Sequence, residues 1–178
     1  MAQTFNTRTI AVGGMLAACS LIVSFIQIPI FPAAPWLSYD PSGVICVIAA
    51  LAFGPKLGVA VAVISWLPHF FFNPFGMIMG TLNTVSFVLP AALIYTKAKQ
   101  SRAASLLGMI VGALLAIAVS CAANLIITPL YTSVTLMQTA AMILPILLPF
   151  NALKMLINLV MGQMLLAPCM NVLAAHRS

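Results

Sequence analysis

Acidic residues are almost missing from this sequence: Asp40 is the single carboxylate among 178 residues, and all charged types together make up 4%. A soluble domain carries roughly 25% charged residues. With 63% hydrophobic residues, that class is excluded and the bilayer becomes the solvent. The lack of acids also argues against a self-powered proton- or sodium-coupled carrier, which binds its coupling ion with intramembrane carboxylates. Only His69 and backbone carbonyls are left for that role. No G-x-x-x-x-G-K-[ST] segment occurs, so nothing here hydrolyses a nucleotide. Cys19, Cys46, Cys121 and Cys169 form no C-x-x-C pair and sit in apolar runs as small hydrophobes, which suggests neither a disulfide nor a metal. One acid and two histidines offer no clear nucleophile and base, so an enzyme is not expected.

What is present is apolar sequence interrupted by turn residues. Seven Lys and Arg give a net charge of +6, but they are scattered between apolar runs and read as topology signals, not as a nucleic-acid surface. The first run continues to Ile28 without an A-x-A site, unlike a secretory signal. A spanning helix needs about 20 residues, and Gly and Pro clusters mark where helices stop. The expected architecture is all-α: one integral membrane domain over 1–178 with six transmembrane helices near 8–28, 41–53, 56–72, 75–96, 103–127 and 150–173. Residues 128–149 are expected to hold a short helix or a re-entrant piece. Six crossings put both termini on one side, together with Arg8, Lys56, Lys97, Lys99, Arg102 and Arg177. By the positive-inside rule that side is cytoplasmic.

Lys154 alone does not fit. It lies about one turn into the last helix, where a lysine at the bilayer centre costs roughly 2.5–3.5 kcal/mol. In PFNALKMLIN, Asn151 and Lys154 are spaced i, i+3 and share a helix face, with Asn158 one turn deeper. They either converge on a polar ligand, or Lys154 snorkels to the interface and Asn151 starts the helix. Asn124 near the end of the fifth helix offers an amide to a ligand or to a neighbouring helix. The loop PWLSYDPSG places Trp36, Tyr39, Asp40 and Ser42 at the outer mouth. Aromatic surface with few polar groups suits a planar heterocycle, although Trp and Tyr also belong to any interfacial belt. Asp40 reads first as a cap for the second helix. His69, with Asn73 near the outer end of the third helix, either offers a neutral imidazole to a ligand or, beside three Phe residues, sits at the interface, the reading preferred here; no methionine is assigned to a site. In the first helix, Gly13 with Ala17 and Gly14 with Ala18 make two small-x-x-x-small pairs, which permit close helix approach.

These segments resemble the S components of energy-coupling factor (ECF) vitamin transporters, and the similarity covers essentially the whole chain. It is strongest to the riboflavin-binding members, through YDPSG, the AFGP turn, the asparagine that opens NLIITPLY and above all PFNALKMLIN. The resemblance implies that Asn124, Asn151 and Lys154 hydrogen-bond the flavin while the loop from Tyr39 to Ser42, Asp40 included, closes over it. Riboflavin would then be a transported ligand, and no cofactor is expected. It further implies a plasma-membrane location in a prokaryote. A membrane-embedded T component would be met through a family A-x-x-x-A pattern whose nearest match is Gly14 to Ala18, with Gly13 and Ala17 beside it. Two ATP-binding cassette ATPases would supply the energy, and the S component would topple in the membrane to deliver its ligand. The rival expectations are another vitamin in the same architecture and a self-sufficient small carrier.

Overall fold

The computed structural model describes residues 7–30, 34 and 37–175; Trp36 and Arg177 lie outside them. The chain forms helices α1 (Thr7–Ser24), α2 (Ser42–Phe53), α3 (Pro55–Trp66), α4 (Pro74–Lys97), α5 (Arg102–Tyr131), α6 (Leu136–Met142) and α7 (Leu148–Ala175). Two strands of two residues, β1 (Ile28–Pro29) and β2 (Ser38–Tyr39), pair antiparallel, Ile28 with Tyr39 and Pro29 with Ser38. They are the one exception to an all-helical plan among the described residues, and they follow from Pro29. A residue before proline is driven out of the helical region, so α1 stops short of the expected Ile28 and the chain turns extended. The ladder joins Ile28–Pro29 to Ser38–Tyr39 within the loop that connects α1 to α2.

Proline explains the other departures. Pro68 ends α3 at Trp66 and the chain tightens into a 3-10 turn over Leu67–Phe71. Pro145 sits in a π-helical turn, Ile143–Leu147, that joins α6 to α7. Widening the helix there accommodates a ring that would otherwise strike the preceding turn, and the stretch 128–149 contains the short helix α6. Its first residues extend α5 beyond the expected Ile127 to Tyr131, with Pro129 inside the helix.

Four helical stretches are long and apolar enough to cross a membrane: Thr7–Ser24, Pro74–Lys97, Arg102–Tyr131 and Leu136–Val172. The 12-residue α2 is about 18 Å long at 1.5 Å per residue, well short of a hydrocarbon core of about 30 Å. It is packed inside the bundle, with nine of its residues buried. Gly54, at φ 93°, makes the turn into α3, whose Gly58 lies directly against Ala50 of α2. Helices α4 and α5 meet backbone to backbone. A Cβ on Gly108 would lie 2.6 Å from the Ala91 carbonyl oxygen, and one on Gly112 would strike that of Phe87. This is the close approach that a G-x-x-x-G pair allows.

The core is accordingly small-grained, with Ala49, Ala50, Ala62, Ala91 and Ala116 fully buried around Phe87 and Met109. Large aliphatic side chains such as Ile22, Leu114 and Ile126 face outward. The Ser24 hydroxyl and the His69 Nε2 lie 2.7 Å apart, so α1 and the α3 segment finish side by side. Short connections then leave Arg8, Lys56, Lys97 and Arg102 near helix ends of one pole, and the site lies at the other.

Candidate functional site

At that second pole a cavity of about 390 Å³ opens between the loop, α4, α5 and α7. Its apolar wall comes from Leu37, Trp66, Met79 and Phe150. Trp66 lies flat against α4 because Gly80 has no side chain, and a Cβ there would run into the indole ring. The indole nitrogen donates to the Thr84 hydroxyl at 3.2 Å, which fixes the plane. Gly80→Ala should therefore push Trp66 into the cavity and reduce ligand affinity severalfold, with the shift visible in tryptophan fluorescence.

The polar wall centres on Lys154, whose ammonium lies 2.9 Å from Oδ2 of Asp40. Lys154 is 8% exposed and Asp40 3%, so neither snorkelling nor exposure to water accounts for them. A buried charge requires a partner, and each is the other's. Oδ1 of Asp40 accepts from the Ser42 amide at 3.2 Å and from the Ser42 hydroxyl. Asp40 thus serves the start of α2, as a cap reading expects, and α7 at the same time. One turn deeper, the Tyr39 hydroxyl donates to Oδ1 of Asn158 at 3.2 Å. Burial, and secondarily the charge of Asp40, pushes the Tyr39 phenol up to about 12, so it remains a donor at physiological pH. Two rungs, Asp40 to Lys154 and Tyr39 to Asn158, therefore fasten the loop to α7.

Asn124, Asn151, Lys154 and Asp40 all line the cavity; Tyr39 and Ser42 do not. These two hydrogen-bond Asn158 and Asp40 respectively. Asn124 is already oriented: its amide donates to the Ser120 carbonyl at 2.7 Å, and its oxygen accepts from the Thr128 hydroxyl at 2.8 Å. The Asn151 amide donates to Leu147 in the π turn at 2.8 Å. The cavity also contains residues that sequence reasoning passed over, Gln27, Asn83 and Ser120. The Asn83 amide donates to the Ser120 hydroxyl at 2.7 Å, bridging α4 and α5. The available signal was Asn83 itself, a buried amide within an apolar helix, which defaults to a functional hypothesis in a membrane. Among the described residues no group of three or more metal-ligating side chains occurs. A cavity with an apolar wall on one side and convergent amides with one ion pair on the other suits recognition of a heterocycle with a polar edge.

The family model described as "ECF transporter, substrate-specific component" matches residues 8–166. The chain belongs to this family. Among curated relatives, this S component is 31% identical over 158 residues to the riboflavin transporter RibU of Staphylococcus aureus (strain TCH60), covering 84% of this chain and 82% of that one. It is 26% identical over 164 residues to the riboflavin transporter FmnP of Bacillus subtilis (strain 168), covering 84% and 85%. A solved S component of a bacterial ECF transporter shares the fold, with a TM-score of 0.79, 28% identity and coverage of 93% of this chain and 97% of that one. The S component is thus a multi-pass membrane protein whose family recognises substrate and is not an enzyme family.

The small-residue face of α1 divides in two. Gly13 and Ala17 are buried, and a Cβ on Gly13 would lie 2.8 Å from Leu57 of α3. These two pack within the S component's own bundle. Gly14 and Ala18 are exposed, and Gly14 has nothing within 4 Å.

Proposed function

We propose that this chain captures riboflavin from outside the cell for import by a separate energising module. The observation that carries the proposal is the cavity of about 390 Å³ whose wall brings Asn124, Asn151 and Lys154 together, in a chain related to riboflavin transporters. The isoalloxazine ring buries its apolar faces against Trp66, Met79 and Phe150 while the amides and Lys154 pair its polar edge. Preformed partners matter here, because a buried polar group left unpaired costs about 1–3 kcal/mol.

In this reading the chain crosses a bacterial plasma membrane six times, with α2 and the α3 segment as the two short crossings and both termini cytoplasmic. The cationic pole then faces the cytoplasm and the cavity faces out. A T component docks on the exposed Gly14 and Ala18 face of α1, and two ATPases drive the cycle. Gly14→Leu should leave riboflavin affinity near wild type yet abolish most co-purification with the T component. Normal recovery of the complex would remove that face from the interface.

Titration of riboflavin into the detergent-purified, ligand-free protein tests the central proposal. Saturable quenching of flavin fluorescence at one site per chain is expected. A folded protein that leaves riboflavin fluorescence unchanged would refute the flavin assignment and direct the search to other vitamins.

A further inference from the structure

Asp40 is the only acid in the chain, yet it lies in the wall of the cavity and not at a surface. Lys154 is the only cation among the residues that line that cavity. The two are joined at 2.9 Å, so the binding chamber contains one positive and one negative charge and sums to zero. Both oxygens of the carboxylate are engaged, one by Lys154 and the other by Ser42, which holds the charge in place.

An uncharged flavin can enter such a chamber without facing a net field. Its phosphate ester carries about −1.5 to −2 charges at pH 7. It must surrender hydration on entry, and it finds a fixed carboxylate but no unneutralised cation to compensate. We infer that Asp40 is a specificity-determining residue: by neutralising Lys154 it sets the preference for an uncharged flavin over the phosphate ester. This rests on the riboflavin reading above.

The two charges make opposite predictions. Asp40→Asn retains an acceptor for Ser42 but leaves the chamber positive, so it should shrink the ratio of FMN to riboflavin dissociation constants at least tenfold. Lys154→Gln leaves the chamber negative and should widen the same ratio, however much it weakens both ligands. A third arm needs no variant. Riboflavin 5′-acetate, an uncharged ester, should bind the wild-type protein within a few-fold of riboflavin while FMN binds at least tenfold more weakly. Rejection of the acetate as strongly as FMN would assign the preference to bulk, and would overturn the inference. So would an unchanged ratio in whichever variants fold, or equal wild-type affinities for the two flavins. No binding of any flavin would refute the riboflavin reading itself, and the inference with it.

Discussion

Lys154→Ala is expected to weaken riboflavin binding more than about tenfold and to destabilise the ligand-free protein as well. Truncating one member of a buried, hydrogen-bonded charge pair costs roughly 2–5 kcal/mol, much of it from the charge left behind. Here that charge is Asp40, 3% exposed and fixed at the start of α2 by Ser42. The loss therefore spreads to the loop, because one of its two rungs to α7 disappears. The double variant Asp40→Asn/Lys154→Ala separates the two effects. Removing both charges should recover most of the thermal stability without restoring flavin affinity, since the ammonium is still missing. Thermal scans and flavin titrations of the three proteins decide the matter. Wild-type affinity in Lys154→Ala would exclude the lysine from ligand contact.

The second large effect is expected far from the cavity. Gly112→Leu should prevent recovery of a monodisperse protein, because any side chain there enters the Phe87 carbonyl of α4 and must drive the two helices apart. Even Gly112→Ala should lower stability by about 1–3 kcal/mol, the usual cost of overpacking, read as a lower melting temperature in detergent. Eight residues further along α5, Ser120 accepts from Asn83 of α4. Separation at Gly112 therefore also stretches the polar bridge in the cavity, and any surviving Gly112→Ala protein should bind flavin more weakly. A Gly112→Leu protein as stable as wild type would show that this close approach contributes little.

The sequence made some of this legible and not the rest, for physical reasons. Apolar runs mark the long helices because lipid demands them, and the i, i+3 spacing of Asn151 and Lys154 places both on one wall. The partner of Lys154 was out of reach of any local pattern, since Asp40 lies 114 residues away. The sole hint was that each was a lone charge in apolar surroundings. Adjacent glycines were equally ambiguous: Gly13 and Gly14 stand about 100° apart on a helix, and only packing against Leu57 tells the inward one from the outward one. Tyr39 and Ser42 stand outside the cavity lining, which no sequence pattern shows, because a loop has no periodicity from which to infer where its side chains point. Thr128–Pro129 signals a stop in the sequence, yet the helix runs through it. Membrane helices tolerate that, since neighbouring groups satisfy the freed carbonyl.

The π-helical turn has a consequence for how this chain can change in length. It carries one residue more per turn than α-helix requires, and that residue sits between α6 and the part of α7 that bears Asn151 and Lys154. Deleting a single residue within Ile143–Leu147 would let the segment close up as ordinary α-helix and rotate α6 against α7 by about 100°. Either Thr139, now 1% exposed, would swing out of its packing against the bundle, or Asn151 and Lys154 would turn away from the cavity. Substitutions in this turn should be tolerated more readily than a change of one in its length.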